Sequence, residues 1–314
     1  MGEAFTTRAA FAALGAVALV GGLASKAEAC SICRCGDPTF NALGSDGYAA
    51  EGFRAALDWE RFDKEQGDPA GEAESVVENR FTALLSYGFT ERLAVVARVP
   101  FSRRRLEATE DGSPAESLTS SGLSDPEAYV QLRLWSSPFG VGLGRRSSVS
   151  LVAGVKSAWG KNDRKSQEGE RLDEHAQPGT GSTDVFGGLS WLYLVNRESA
   201  VFASAQCRRP GGNDSGYRYG RAFLANLAYE HKLAKSVDGV LELNYRHARR
   251  DRIDDEVDDD TGGSLLYLTP RLLVSLGPRV VLRATVQVPI VRDLYGAQKE
   301  RAVLNAGLTY LFGR

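Results

Sequence analysis

Residues 78–101 read ENRFTALLSYGFTERLAVVARVPF. In the first arm Phe81, Ala83, Leu85 and Tyr87 alternate with Arg80, Thr82, Leu84 and Ser86. In the second, Leu93, Val95, Ala97 and Val99 alternate with Arg92, Ala94, Val96 and Arg98. A period of two sets the two groups on opposite faces of a sheet, and residues 88–92 join the arms tightly. The stretch is therefore a hairpin with one apolar face. The same rhythm recurs to the end of the chain, and its connections alternate between short and long. Short periplasmic turns and long outer loops alternate in this way in an outer-membrane barrel. The fold expected is all-β, a transmembrane antiparallel barrel of about 12 strands.

The chain has 314 residues, and its first 29 read as a secretory signal peptide. Ala9 to Leu23 is small and apolar, shorter than the roughly 20 residues a membrane helix needs, and Ala27-Glu28-Ala29 gives an A-x-A cleavage site. Cleavage there leaves 285 residues (314 less 29) starting at Cys30, with residues 30–50 a Cys-rich segment, periplasmic or lumenal, and 51–314 the barrel. Charged residues make up 25% with a formal net charge of −2, which gives no footing for nucleic acid as a partner. Mean hydropathy is −0.25, a value a barrel reaches because alternate residues alone touch lipid.

The strands expected after the first (about 53–62) are the two arms of the hairpin, then 125–135, 148–159, 183–195, 200–208, 217–231, 237–247, 264–276, 279–290 and 301–312. The joins after the even-numbered strands are the shorter ones, so both ends of the barrel fall on the short-turn side. The longer joins 102–122, 160–182 and 248–263 are then expected on the cell surface. Pro100 and Pro289 fall at expected strand ends, where a missing N–H does little damage, whereas Pro270 falls inside a strand and demands an irregularity. Tyr87, Phe89, Phe101, Trp135, Trp159, Trp191, Tyr193, Tyr310 and Phe312 cluster near strand ends, as interfacial girdles do.

Alternation also assigns the inward face. It collects Arg80, Arg98, Arg133, Lys156, Asp184, Arg246, Arg271 and Arg283 with Glu127 as pore-lining residues, joined by Arg208, Glu230 and Glu242. Two roles stay open for them: cross-strand charge pairs that fill a narrow interior, or a selectivity ladder. An arginine facing lipid near the midplane costs about 2–4 kcal/mol, which disfavours the opposite facing.

Three short motifs carry a family resemblance. They are Tyr87-Gly88-Phe89-Thr90-Glu91-Arg92-Leu93 leading into Val99-Pro100-Phe101, then Gly122-Leu123-Ser124-Asp125-Pro126, then Gln177-Pro178-Gly179-Thr180-Gly181-Ser182-Thr183-Asp184 with Gly187-Gly188-Leu189. In this order they resemble the outer-membrane barrel family named after the meta-pathway of phenol degradation. The resemblance implies an outer-membrane barrel concerned with passage of small molecules. The chain departs from the usual terminal aromatic residue, since Gly313 and Arg314 follow Phe312.

Cys30-Ser31-Ile32-Cys33-Arg34-Cys35 places three thiols in six residues. A soft metal ion on Cys30, Cys33 and Cys35, a disulfide favoured by the periplasm, and lipid on Cys30 all remain open. Covalent haem is disfavoured, because Arg34 stands where C-x-x-C-H requires histidine. The acidic run Asp254, Asp255, Glu256, Asp258, Asp259, Asp260 lacks the glycine spacing of an EF-hand and reads as a solvated loop. For enzyme chemistry the chain offers His175, His231 and His247; the first is in a loop and the others are too far apart along a hairpin to meet. No enzyme activity is expected.

The expectation is an outer-membrane channel or transporter for a small solute, embedded in outer-membrane lipid, with residues 30–48 as a periplasmic extension or plug. The alternative is a metal-binding or redox-partner protein, with a periplasmic partner, anchored by its barrel through the CxxCxC segment.

Overall fold

The two faces read from residues 78–101 are the two faces of a closed wall. The structure, a computed structural model, describes residues 52–67, 73–110, 113–138, 145–165, 169, 171–172, 174–296 and 298–312. The signal peptide and the cysteines at 30, 33 and 35 lie outside the described residues.

Twelve strands make the wall: β1 Gly52–Gly67, β2 Ala73–Gly88, β3 Leu93–Glu110, β4 Glu127–Pro138, β5 Arg145–Lys156 and β6 Asp184–Leu194. They continue as β7 Ser199–Arg209, β8 Ala222–Ala234, β9 Val237–Ala248, β10 Gly263–Ser275, β11 Val280–Leu294 and β12 Val303–Phe312. Each pairs antiparallel with its neighbours in sequence, and β1 pairs with both β2 and β12, which closes the ring. Closure leaves no edge within the bilayer, which a sheet in lipid requires.

Outward residues are apolar and inward ones polar, as lipid on one side and a narrow interior on the other dictate. Phe81 and Leu85 are 46% and 48% exposed on the outside, whereas Arg80 and Thr82, on either side of Phe81, are 8% and 3% exposed. Aromatic pairs sit at the short-turn end, among them Phe53–Phe312 and Tyr87–Phe89 with ring centroids 5.0 and 4.8 Å apart.

Several expected loops are strand instead. Residues 102–122 were expected as one long loop. In the structure β3 runs on to Glu110, and a return strand, Ser113–Leu123, pairs with its outer half. Above the lipid the outward face no longer needs apolar residues, so the strand continues in Arg103, Arg105 and Glu107. For the same reason β1 and β2 extend to Gly67 and Ala73, well past residue 62, where the first strand was expected to end. Tyr217–Arg218 leaves the expected eighth strand and joins Arg252–Ile253 and Glu256–Val257 in a small outer sheet.

The prolines mark seams. Pro100 lies within β3, where the partner changes from β4, ending at Arg98↔Glu127, to the return strand, starting at Phe101↔Leu123. Pro289 also lies within its strand, beside the bulge opposite Leu266 and Tyr267, and at Pro270 the ladder to β11 skips from Leu268↔Val288 to Arg271↔Thr285. A residue with no N–H fits such breaks.

Candidate functional site: a charge-matched lumen and an inward-folded loop

Arg80, Arg98, Glu127, Lys156, Asp184, Arg246, Arg271 and Arg283 are buried at inward positions of the strands, and Arg133 is half-buried at an inward position of β4. Burial of an unpaired ion is prohibitive, and most of these ions have a partner on the same or a nearby strand. Glu78 of β2 accepts from Arg80 Nε at 2.9 Å, Ser102 Oγ at 2.7 Å and Arg104 Nε at 2.8 Å. Arg80 also lies 3.8 Å from Glu60. Arg283 bonds Asp58, and Arg271 stands 2.7 Å from Glu242. Glu127 receives Arg98 at 3.1 Å and, from three strands away, Arg208 at 2.7 Å. The Arg208 guanidinium also lies over the Phe186 ring at 4.7 Å. Arg246 is buried towards the outer end of β9. Arg133, at the periplasmic mouth, donates to Glu91 O and lines a recess with Gln131, Ser150 and Ala94.

One step towards the periplasm the interior turns apolar. Val96, Tyr129, Val152 and Phe186 pack together with Leu84 on one wall, and Phe202, Ala228, Val240 and Leu273 with Leu192 and Val281 on another.

The segment after β5 was expected on the surface. It turns inward instead: Glu174, Ala176, Gln177, Thr180 and Ser182 are all buried. The physical cause is a set of buried donors and acceptors that the strands satisfy only in part. Lys156 Nζ lies 2.9 Å from Asp125 Oδ2 and 3.5 Å from Asp184 Oδ2, and donates to Ser182 O at 2.8 Å. Asp125 accepts from Gly160 N at 2.9 Å, Thr180 N at 2.8 Å and Thr180 Oγ1 at 2.6 Å. Arg104 donates to the carbonyls of His175, at 2.8 Å, and Gln177. Gly160 and Gly179 are needed here, because a Cβ on Gly179 would lie 2.6 Å from the Gly160 backbone.

A cap of outer loops covers this segment. Tyr217 Oη donates to Asp251 Oδ2 at 2.6 Å and lies 3.1 Å from His175 Nε2. Glu174 accepts from Asn213 Nδ2 at 3.0 Å and from Ser215 Oγ. Burial raises the Asp251 pKa above its ordinary range, although the Tyr217 hydroxyl and the Gly220 N–H work against the shift. The three loops 157–183, 210–221 and 249–262 are thereby tied to one another.

Asp125, Arg104, Glu78, Thr180 and the Tyr217–Asp251 pair were missing from the sequence-derived set. A signal for two of them existed: Asp125 and Thr180 lie in the second and third resemblance motifs, and the fold brings those motifs into contact. The other histidines stand apart, His231 against Ser199 at 2.8 Å and His247 against Ser264 at 3.0 Å, at opposite ends of the β8–β9 hairpin. Cys207 is exposed on the outer face of β7, which separates it from any lumenal thiolate site. Among the described residues no group of three His, Cys, Asp or Glu side chains is placed to hold a metal ion.

No family model matches the chain, and no curated protein does. Among solved structures it is similar to an outer membrane channel from Pseudomonas putida F1, at 12% identity and a TM-score of 0.64, covering 84% of this chain and 97% of that one. The KdgM porin is more distant, at 10% identity and a TM-score of 0.46, covering 82% of this chain and 99% of that one. The CymD monoaromatic hydrocarbon channel follows at 9% and 0.45, covering 85% and 90%. Likeness at such identities concerns the fold. The chain is a transmembrane β-barrel. With its closed twelve-stranded ring, outward apolar band and short-turn side, it is a barrel of the bacterial outer membrane.

Proposed function

We propose that the protein is a porin-like channel for a small polar solute. The observation that supports this best is the inward face, where Arg98, Glu127, Arg208, Asp184 and Lys156 form one chain of matched charges. Matched charges offer donors and acceptors to a polar solute without a strong net preference for either sign. The nine lumenal residues line this path.

Two elements constrict it in this reading. One is the inward segment 174–183. The other is the stretch from Cys30 to Leu43, whose three thiols and large apolar residues Phe40 and Leu43 suit a plug in the lumen or across its periplasmic mouth. Twelve strands enclose a passage only somewhat wider than that of an eight-stranded barrel filled by its own side chains, so a short insert narrows it greatly. The three motifs around Tyr87, Asp125 and Thr180 support placement in the phenol meta-pathway barrel family. Conductance in planar bilayers and swelling of proteoliposomes in small sugars and amino acids test the reading. Discrete current steps and swelling are expected. Their absence in both the full mature chain and a chain lacking residues 30–47 overturns it.

A further inference from the structure

The outer surface of the tall wall carries a feature the channel reading does not use. Lateral register places Trp59, Phe81, Phe101 and Leu123 in one outward row across β1, β2, β3 and the return strand. These residues mark the upper limit of the apolar band. The next outward row, two residues further along each strand, is Arg61, Asn79, Arg103 and Ser121. The row above that contains Asp63, Val77, Arg105 and Thr119. Three arginines thus stand within two rows of the aromatic girdle, on the side of the long loops.

Their partners are unevenly distributed. Arg61 lies 3.4 Å from Asp63, and Arg105 lies 2.7 Å from Glu107. Arg103, between them, is exposed and has no acidic partner among the described residues. Neighbouring strands are about 4.8 Å apart, so Arg61 and Arg103 are about 10 Å apart across β2. Thr119 and Ser121 add hydroxyl groups beside Arg105 and Arg103. On the β9–β11 wall the corresponding step is different. There the row above Tyr245, Leu266 and Val291 is His247, Ser264 and Asp293. A second exposed arginine row, Arg209, Arg221 and Arg249, stands at the outer ends of β7, β8 and β9, without the aromatic row that Trp59, Phe81 and Phe101 set beneath the first.

Aromatic girdles sit at headgroup level, so groups one row above Phe81 and Phe101 meet the headgroups of the outer leaflet. Arginine matches phosphate oxygens with a planar pair of donors. The geometry points to a site on β1–β3 and the return strand for the phosphorylated headgroup of an outer-leaflet lipid of the lipid A type. Arg103 is the central contact, Arg61 and Arg105 flank it, and Thr119 and Ser121 face the sugar hydroxyls. The acyl chains then lie over Trp59, Phe81, Phe101 and Val99. This site goes beyond the channel reading and stands without it.

The test uses the full mature chain folded in detergent, titrated with bisphosphorylated lipid A and followed by native mass spectrometry. A folded barrel is confirmed in each variant by heat-dependent gel mobility. Adducts of bisphosphorylated lipid A are expected to survive on the wild type. They should fall at least tenfold with R61Q/R103Q/R105Q, and dephosphorylated lipid A should be retained no better than by that variant. A second variant, R92Q/R197Q/K235Q, removes the same charge from the periplasmic turns and should leave retention unchanged. Equal loss in both variants, undiminished binding to the first, equal retention of dephosphorylated lipid, or an adduct with inorganic phosphate but none with lipid A would each overturn the site.

Discussion

Lys156 Nζ stands 2.9 Å from Asp125 Oδ2 at the point where β5 ends and the chain turns into the barrel. Asp125 lies just before β4, so one ion pair links the start of one strand to the end of the next and holds the segment between β5 and β6. The strand ladders do not depend on it. Lys156→Met leaves Asp125 and Asp184 buried without their lysine, a loss of about 3–5 kcal/mol for a broken buried pair. We expect the barrel to fold but residues 157–183 to become cleavable from the outer side, with larger and noisier conductance. Unchanged protease resistance would show that the pin is dispensable.

Gly307 on β12 provides the space for the Asp58–Arg283 pair. A Cβ there would meet Asp58 Oδ1 at 2.1 Å and Arg283 Nη2 at 2.8 Å. Gly307→Val should therefore separate the pair and slow closure of β12 onto β1, the last step of the ring. The expected readout is a reduced fraction of the heat-modifiable folded band, while Ala306→Val, on the lipid face, leaves it unchanged.

The outer cap should depend on pH through Asp251. Burial raises the carboxyl pKa in the folded state, so the folded cap binds a proton more readily than the unfolded chain. Its stability is then fully present below the ordinary aspartate value of about 3.9 and falls as pH rises through the raised value. Amide protection of residues 213–220 and 251–261, corrected for intrinsic exchange, should decline over that interval. Asp251→Asn should flatten the decline; a wild-type cap with constant protection would contradict this account.

Deletion of residues 30–47 should increase single-channel conductance and solute uptake. Cys33→Ser combined with Cys35→Ser should weaken the constriction without preventing insertion. Conductance identical to the wild type after the deletion would leave the segment as a periplasmic tail and remove it from the pathway.

The wall of the barrel was legible because lipid enforces a simple rule. Leu85 and Tyr87 must face out and Arg80 and Arg98 must face in, and the sequence states this through a period of two. Outside the bilayer that rule lapses. Ser117 and Thr119 alternate in the return strand without an apolar face, so nothing in their chemistry distinguished strand from loop. The inward segment was illegible for a related reason. Thr180 and Ser182 are as polar as any solvated loop, and their burial depends on Asp125 and Lys156, which lie 55 and 26 residues away. The pairing of Glu127 with Arg208 likewise required the ring to close around it.

The return strand has a consequence for how copies of the protein meet. β3 covers one of its edges, and a strand with an unpaired edge is a template for another chain. Here the carbonyls of Leu123 and Ser121 accept from Lys161 N at 2.8 Å and Arg164 Nη2 at 2.6 Å. The loop thereby occupies two of the carbonyls, at the membrane end of that edge, that a neighbouring barrel would need to extend the sheet. Two barrels crowded together at this rim encounter like-charged side chains, so dense packing in the membrane plane need not lead to strand exchange.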